Sequence, residues 1–284
     1  MKYALSLELR DGVMKVGELM TPDRILPDID KKPLYLWCAY PEDLLTEATA
    51  RACASLLSED ERTRWQALRF DRDRREYLTT RTLVRTALSH HHPIASEAWR
   101  FETNAHGKPR IDPDCGLRFN LSNSSDLVVC LVSHESEVGV DVEPFEHAEK
   151  IAELAPGVLS QVELTQLEAL RGSEKLDRVL SLWTLKEAYI KATGFGLSQP
   201  LNQFSFLFGG EEGIRLEMDP IPSDRPARNW RFCLVEHGRH RIALMAESAT
   251  VPEMQLWEAR PLLAPPTRLS PSGERWFPQS AVSV

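Results

Sequence analysis

The stretch Trp183-Thr184-Leu185-Lys186-Glu187-Ala188-Tyr189-Ile190-Lys191-Ala192-Thr193-Gly194 decides how the rest of the chain is read. Its pattern predicts a helix: Leu185, Ala188, Tyr189 and Ala192 supply a packing side, and Gly194 a C-terminal stop. Glu187 and Lys191, four residues apart, project from one face, with Trp183 one turn earlier. Alone, a Glu–Lys pair at this spacing is a solvated ion pair worth roughly a few tenths of a kcal/mol. It acquires chemical meaning only if other segments bring matching groups to it.

The first such segment is Val138-Gly139-Val140-Asp141-Val142-Glu143-Pro144. Its period of two predicts a strand with the valines on one face and Asp141 and Glu143 on the other. Neighbouring carboxylates repel, and each pKa rises unless a cation compensates. An exposed strand face is the plain reading. A metal site is favoured over it, because valines bury the opposite face and Glu187 offers a third carboxylate. The second segment, Asp71 to Arg85, is the basic element of an acidic chain. Leu78, Thr82, Leu83 and Thr86 suit a core, while Arg74, Arg81 and Arg85 follow a neighbouring stripe. Taken alone this is an arginine-coated solvent face; its functional alternative is a phosphate clamp, since guanidinium forks suit phosphate oxygens. The third is Leu117-Arg118-Phe119-Asn120-Leu121-Ser122-Asn123-Ser124, a strand running into a polar loop.

Around these, the sequence predicts a strand over 33–39, a helix over 42–57, and a second helix opened by a Ser58/Glu61 capping box. Phe101 leads through a strand to the turn Gly107-Lys108-Pro109. Strands are expected over 127–132, 204–208, 230–235 and 241–246, with helix through 145–180, where Ser160 and Glu163 form a further capping box. Residues 1–30 read as a short strand or hairpin followed by a loop. Residues 251–284 read as one added strand at most, then a loosely held tail. The adjacent His90, His91 and His92 cannot converge on one metal from a helix and are expected at the surface.

Composition narrows the function classes. The chain has 284 residues, with 42 acidic against 34 basic side chains, a net charge of −8. That argues against a general nucleic-acid binder. Five cysteines, odd in number and without CxxC spacing, argue for reduced thiols and a cytoplasmic setting rather than a disulfide framework or zinc site. No apolar run reaches membrane-spanning length, so no membrane partner is expected.

In order and spacing, Gly107-Lys108-Pro109, Phe119-Asn120-Leu121-Ser122, the Val138–Glu143 strand and the Trp183–Lys191 helix resemble the Sfp-type 4′-phosphopantetheinyl transferases. The Phe70–Arg85 helix resembles that family's N-terminal half, and the likeness spans roughly residues 34–210. The resemblance implies an α/β (α+β) fold of two similar halves in a pseudo-twofold arrangement, with coenzyme A in the cleft between them. It divides the chain into an N-terminal half over 1–137, a C-terminal half over 138–250 and a proline-rich extension over 251–284. It implies Mg²⁺-dependent transfer of the phosphopantetheine arm from coenzyme A to a serine of an apo acyl or peptidyl carrier protein, releasing adenosine 3′,5′-bisphosphate. A monomer suffices to build such a cleft.

On this resemblance Asp141, Glu143 and Glu187 are the expected Mg²⁺ ligands, Glu143 the least secure. Glu187 is also the expected general base, and Lys191 the group that stabilises the leaving bisphosphate. Arg72, Lys108 and the turn from Thr103 are expected near the phosphoadenosine end. Asn120, Ser122 and Asn123 are expected near the phosphates, with Asp141 and Lys191, and Arg85 as a further phosphate contact. Lys186 lies about 100 degrees around an ideal helix from Glu187, which suits a structural role or a carrier-protein contact. Where many relatives read Ser-His, this chain reads Ser122-Asn123, so weaker or less pH-dependent coenzyme A binding is expected. Two other classes stay open: a Mg²⁺-dependent hydrolase of nucleotide pyrophosphates, and a non-catalytic module that binds coenzyme A or a carrier protein.

Overall fold

The computed structural model describes residues 33–44, 46–124, 126–209, 213–218, 229–250, 252–260, 263–269 and 275–278. The hairpin or loop expected over 1–30 lies outside them. The fold is one arrangement built twice. The first half runs strand β1 (Leu34–Ala39), helices α1 (Glu47–Ser55), α2 (Glu59–Ala67) and α3 (Asp71–His91), hairpin β2 (Phe101–Thr103) and β3 (Pro109–Ile111), then strands β4 (Leu117–Asn123) and β5 (Val128–His134). The second repeats the order as β6 (Val138–Pro144), α4 (Ala148–Val158), α5 (Gln161–Glu168), α6 (Gly172–Thr193), β7 (Phe204–Phe208), β8 (Ile214–Met218), β9 (Trp230–His237) and β10 (His240–Glu247). Spatial order repeats too: β1-β5-β4 in one sheet, β6-β10-β9 in the other.

Three further strands follow: β11 (Met254–Glu258), β12 (Thr267–Leu269) and β13 (Arg275–Pro278). β11 lies parallel to β1, with Leu36 opposite Leu256, and β12 pairs with β11. β13 joins β9 in the second sheet. The expectation of at most one added strand is therefore corrected, since the extension contributes to both sheets. Its alternation of Met254 and Leu256 with Gln255 carries the strand signal, but flanking prolines obscure it.

The continuous apolar runs of β1 and β5 follow from burial on both faces. Tyr35, Trp37, Val128, Cys130 and Val132 pack with Leu83, Val84 and Leu88 of α3. The intervening Leu36, Val129 and Leu131 pack with Val140, Ile242 and Leu244 of the second sheet, forming a core shared by the halves. Leu182, Leu185, Ala188 and Tyr189 of α6 build the second half's own core with Ala243 and Met245. The histidine run is corrected: His91 stacks on Tyr35 at 3.8 Å and accepts a hydrogen bond from Trp37 Nε1 at 3.2 Å. Burial, with His90 and His134 nearby, pushes its pKa down to about 3.

Both predicted capping boxes form, Ser58 with Glu61 and Ser160 with Glu163. Each glutamate then receives a buried cation from the long helix of its half: Arg85 Nη2 at 2.6 Å from Glu61, and Lys186 Nζ at 2.8 Å from Glu163. Gly194 ends α6 in the left-handed conformation, φ 73°. Gly139 lets β6 lie against α6, because a Cβ there would stand 2.1 Å from Ala188 O and 2.5 Å from Ala192 N.

Candidate active site

The site forms where β4, an edge of the first sheet, meets β6, an edge of the second. Side chains bridge the seam: Asn120 Oδ1 accepts from Val140 N at 2.8 Å, and Ser122 Oγ from Val142 N at 3.3 Å. Ser122 Oγ also donates to Asp141 Oδ1 at 2.9 Å. Lys191 Nζ donates to Ser122 Oγ at 2.8 Å and to Asp141 Oδ1 at 2.6 Å. One residue of the first half and two of the second thus share a single hydrogen-bonded cluster. Because Ala188 and Ala192 press on Gly139, the Glu187–Lys191 face of α6 is held close against the acidic face of β6.

Glu143 accepts from Trp183 Nε1 at 3.1 Å through Oε1, and its Oε2 lies 2.8 Å from His147 Nδ1. Glu187 is partly buried. Desolvation, reinforced by the charges of Asp141 and Glu143 and opposed by Lys191, raises its pKa to about 7. A carboxyl group titrating there can take and return a proton near neutrality. Beside the cluster lies an open cleft of about 380 Å³, lined by Arg72, Glu76 and Asn123 from the first half and by Glu143, Lys150 and Trp183 from the second. That size falls within the range of small-molecule sites.

Of the residues singled out from sequence, Ser122, Asp141, Glu143, Glu187 and Lys191 converge, and Arg72 and Asn123 line the cleft beside them. Thr103 is exposed at the end of β2. Arg85 is corrected: it is 1% exposed and donates to Ser96 O, Trp99 O and Glu61, a core residue out of reach of a ligand. Lys186 is likewise structural, donating to Leu201 O and Phe204 O besides its pairing with Glu163. Lys108 is corrected as well. Its ammonium is engaged inside the protein, by Glu137 at 2.7 Å and by Ala192 O at 2.8 Å, rather than open to a phosphate.

Three residues were missed, one of them Lys150, which lines the cleft from α4. His147 stands four residues beyond Glu143, a spacing that could have flagged it. Glu76 accepts a hydrogen bond from Asn123 Nδ2; this link between α3 and β4 has no sequence signature.

Among the described residues, no group of three or more His, Cys, Asp or Glu side chains is disposed to hold a metal unaided. Mg²⁺ needs no such closed set, since it fills its octahedron with phosphate and water oxygens beside one or two carboxylates. Asp141 Oδ2 is buried without a hydrogen-bond partner, and Glu187 titrates near neutrality because burial desolvates it beside the charges of Asp141 and Glu143. Hard oxygen donors with unused acceptor capacity suit that ion.

Two family models match the chain along this same division. Residues 45–136 match the N-terminal domain of 4′-phosphopantetheinyl transferases, and residues 137–245 match the 4′-phosphopantetheinyl transferase superfamily. A relative in Bacillus pumilus, the 4′-phosphopantetheinyl transferase psf-1, is 31% identical over 168 residues, covering 58% of this chain and 71% of that protein. This chain belongs to the 4′-phosphopantetheinyl transferase superfamily. Among other superfamily members, Sfp of Bacillus subtilis is 28% identical over 63% of this chain and 79% of its own. HetI of a Nostoc species is 29% identical over 61% of this chain and 74% of its own. Among the described residues, no helix is long and apolar enough to cross a membrane.

Proposed function

We propose that the chain transfers the phosphopantetheine arm of coenzyme A to a serine of an apo acyl or peptidyl carrier protein, with Mg²⁺ as cofactor. The observation that carries this reading is the convergence of Asp141, Glu187 and Lys191 at the seam, beside a cleft that both halves line. Arg72 and Lys150 offer cations to the phosphates of coenzyme A. Asp141 and Glu187, with Glu143 as a third donor, would hold the ion. Bound there, Mg²⁺ supplies charge neutralisation for the pyrophosphate.

Glu187 takes the proton of the carrier serine hydroxyl. The serine oxygen bonds to the phosphorus nearer the pantetheine, and the bond from that phosphorus to the bridging oxygen breaks. The electron pair leaves on adenosine 3′,5′-bisphosphate, whose developing charge Lys191 stabilises. Ser122 and Asp141 hold the Lys191 ammonium in place for that role.

Mass spectrometry of apo carrier proteins incubated with the protein, coenzyme A and Mg²⁺ tests the reading. The expected result is a phosphopantetheinyl mass gain that disappears with excess chelator. No gain across acyl and peptidyl carrier proteins, or coenzyme A cleavage without any carrier, would overturn it.

A further inference from the structure

The hairpin β2–β3 belongs to the first half, yet its turn reaches the end of the catalytic helix. Asn104 shapes the turn, accepting from the backbone N–H groups of His106 and Lys108 at 2.9 Å each. Gly107, at φ 87°, supplies the backbone conformation that a side chain would resist. From this turn Asn104 Nδ2 donates to Gly194 O at 3.0 Å. Lys108 Nζ donates to Ala192 O at 2.8 Å, to Val138 O at 3.3 Å and to Glu137 at 2.7 Å. The last carbonyls of an α-helix lack intrahelical partners, and a cation beside them complements the negative end of the helix dipole. The turn therefore caps α6 from the opposite half.

The fit is close. A Cβ on Gly194 would stand 3.0 Å from Lys108 Cδ and 3.2 Å from Asn104 Nδ2, so a side chain there would push the turn back as well as strain the backbone at φ 73°. Lys108 itself is 9% exposed. It grips two elements at once, the end of α6 through Ala192 and the start of β6 through Val138. Ala192 directly follows Lys191, and Val138 stands three residues before Asp141, so the two grips flank the 2.6 Å contact between Lys191 and Asp141.

We infer that Asn104 and Lys108 are positioning residues: they clamp the C-terminal end of α6 against β6 and set the height of Lys191 and Glu187 over Asp141. The clamp acts on transfer through the placement of Lys191 and Glu187, and this reaches catalysis only through the transferase reading given above. A misplacement of about 1 Å at a reacting group costs about 100-fold in rate, so a clamp of this kind governs turnover rather than affinity.

Lys108→Met, Lys108→Arg and the milder Asn104→Ala separate the possibilities. Transfer kinetics with varied coenzyme A are measured alongside amide hydrogen exchange over the last turn of α6. Lys108→Met is expected to lower kcat about 100-fold with KM for coenzyme A within about threefold, and to speed exchange there. Lys108→Arg, which keeps the charge, restores part of the rate, and Asn104→Ala gives a smaller loss of the same kind. A raised KM with kcat intact would make Lys108 a coenzyme A contact and overturn the inference. So would a lower Tm with kcat and local exchange unchanged. A wild-type protein that transfers nothing would overturn the functional reading alone. Exchange at the end of α6 would then still decide the clamp, unchanged protection in both Lys108→Met and Asn104→Ala refuting it.

Discussion

Helices α3 and α6 occupy equivalent places in the two halves, and comparing them separates scaffold from chemistry. Each follows a capping-box helix, and each sends one buried cation back to that helix's glutamate: Arg85 to Glu61, Lys186 to Glu163. Arg85 lies as far into α3 as Lys186 lies into α6. One position later the copies diverge, with Thr86 in the first half and Glu187 in the second. One turn further on, His90 sits among aromatic rings while Lys191 sits on Asp141. The facing strands differ in the same sense, since β1 is wholly apolar where β6 carries Asp141 and Glu143. The cation that holds the helix is common to both copies, and only the second has acquired reactive groups beside it.

The sharpest way to break this comparison is to remove chemistry from one helix and support from the other. Glu187→Gln should lower carrier modification by about 1,000-fold, the loss a general base typically produces, and Asp141→Ala by a similar factor through loss of the metal and of the Lys191 contact, while circular dichroism stays native. Near-normal rates would show that the reactive groups lie elsewhere. Next come the twin ion pairs. Lys186→Met leaves the buried Glu163 carboxylate without its cation and should destabilise by about 3–5 kcal/mol in urea unfolding; Arg85→Met should cost toward the lower end, because Arg81 stays 3.8 Å from Glu61. A large cost for one and none for the other would end the claim that they are equivalent.

Gly139→Ala tests the contact that sets α6 on β6. Both nearest atoms are backbone and cannot rotate away, so a loss of about 2–3 kcal/mol is expected, read as a lower urea midpoint at unchanged m. A pH signature is confined to the second half. The folded-state pKa of Glu187 is raised from 4.5 to about 7, so the folded protein favours its protonated form. That contribution is fully present below the ordinary glutamate range and is lost as pH rises through about 7. With metal chelated, wild type should therefore lose about 3 kcal/mol relative to Glu187→Gln between those limits, measured by urea titration at a series of pH values. Parallel pH profiles would mean that Glu187 titrates normally.

Much of this site was legible because its signals are local. The i,i+4 spacing of Glu187 and Lys191, the period of two in β6 and both capping boxes depend on neighbours within a turn or a strand. Asp141 leaves the valine face of β6 as the period of two implied, and there it meets Lys191. Arg85 and Lys108 misled because sequence gives a side chain's charge and helix face but not its distant partner. Their partners are mostly backbone carbonyls of Ser96, Trp99, Val138 and Ala192, which leave no trace in residue identity. The histidine run misled for a related reason: polarity suggested solvent, while Tyr35 and Trp37 from β1 supplied an aromatic bed. A link such as Glu76 to Asn123 spans elements whose proximity exists only once the sheets have formed.

The parallel pairing of β1 with β11 bears on the order in which the molecule can be made. Leu34 lies opposite Met254, so the sheet of the first half stays unfinished until nearly the whole of the second has been synthesised. Contacts so distant in sequence carry a high loop-closure cost and slow the search for the native state. The half that begins the chain is thus among the last to be completed. Until β11 arrives, one side of β1 keeps its backbone hydrogen-bonding groups unpaired, as an open edge that another strand could join.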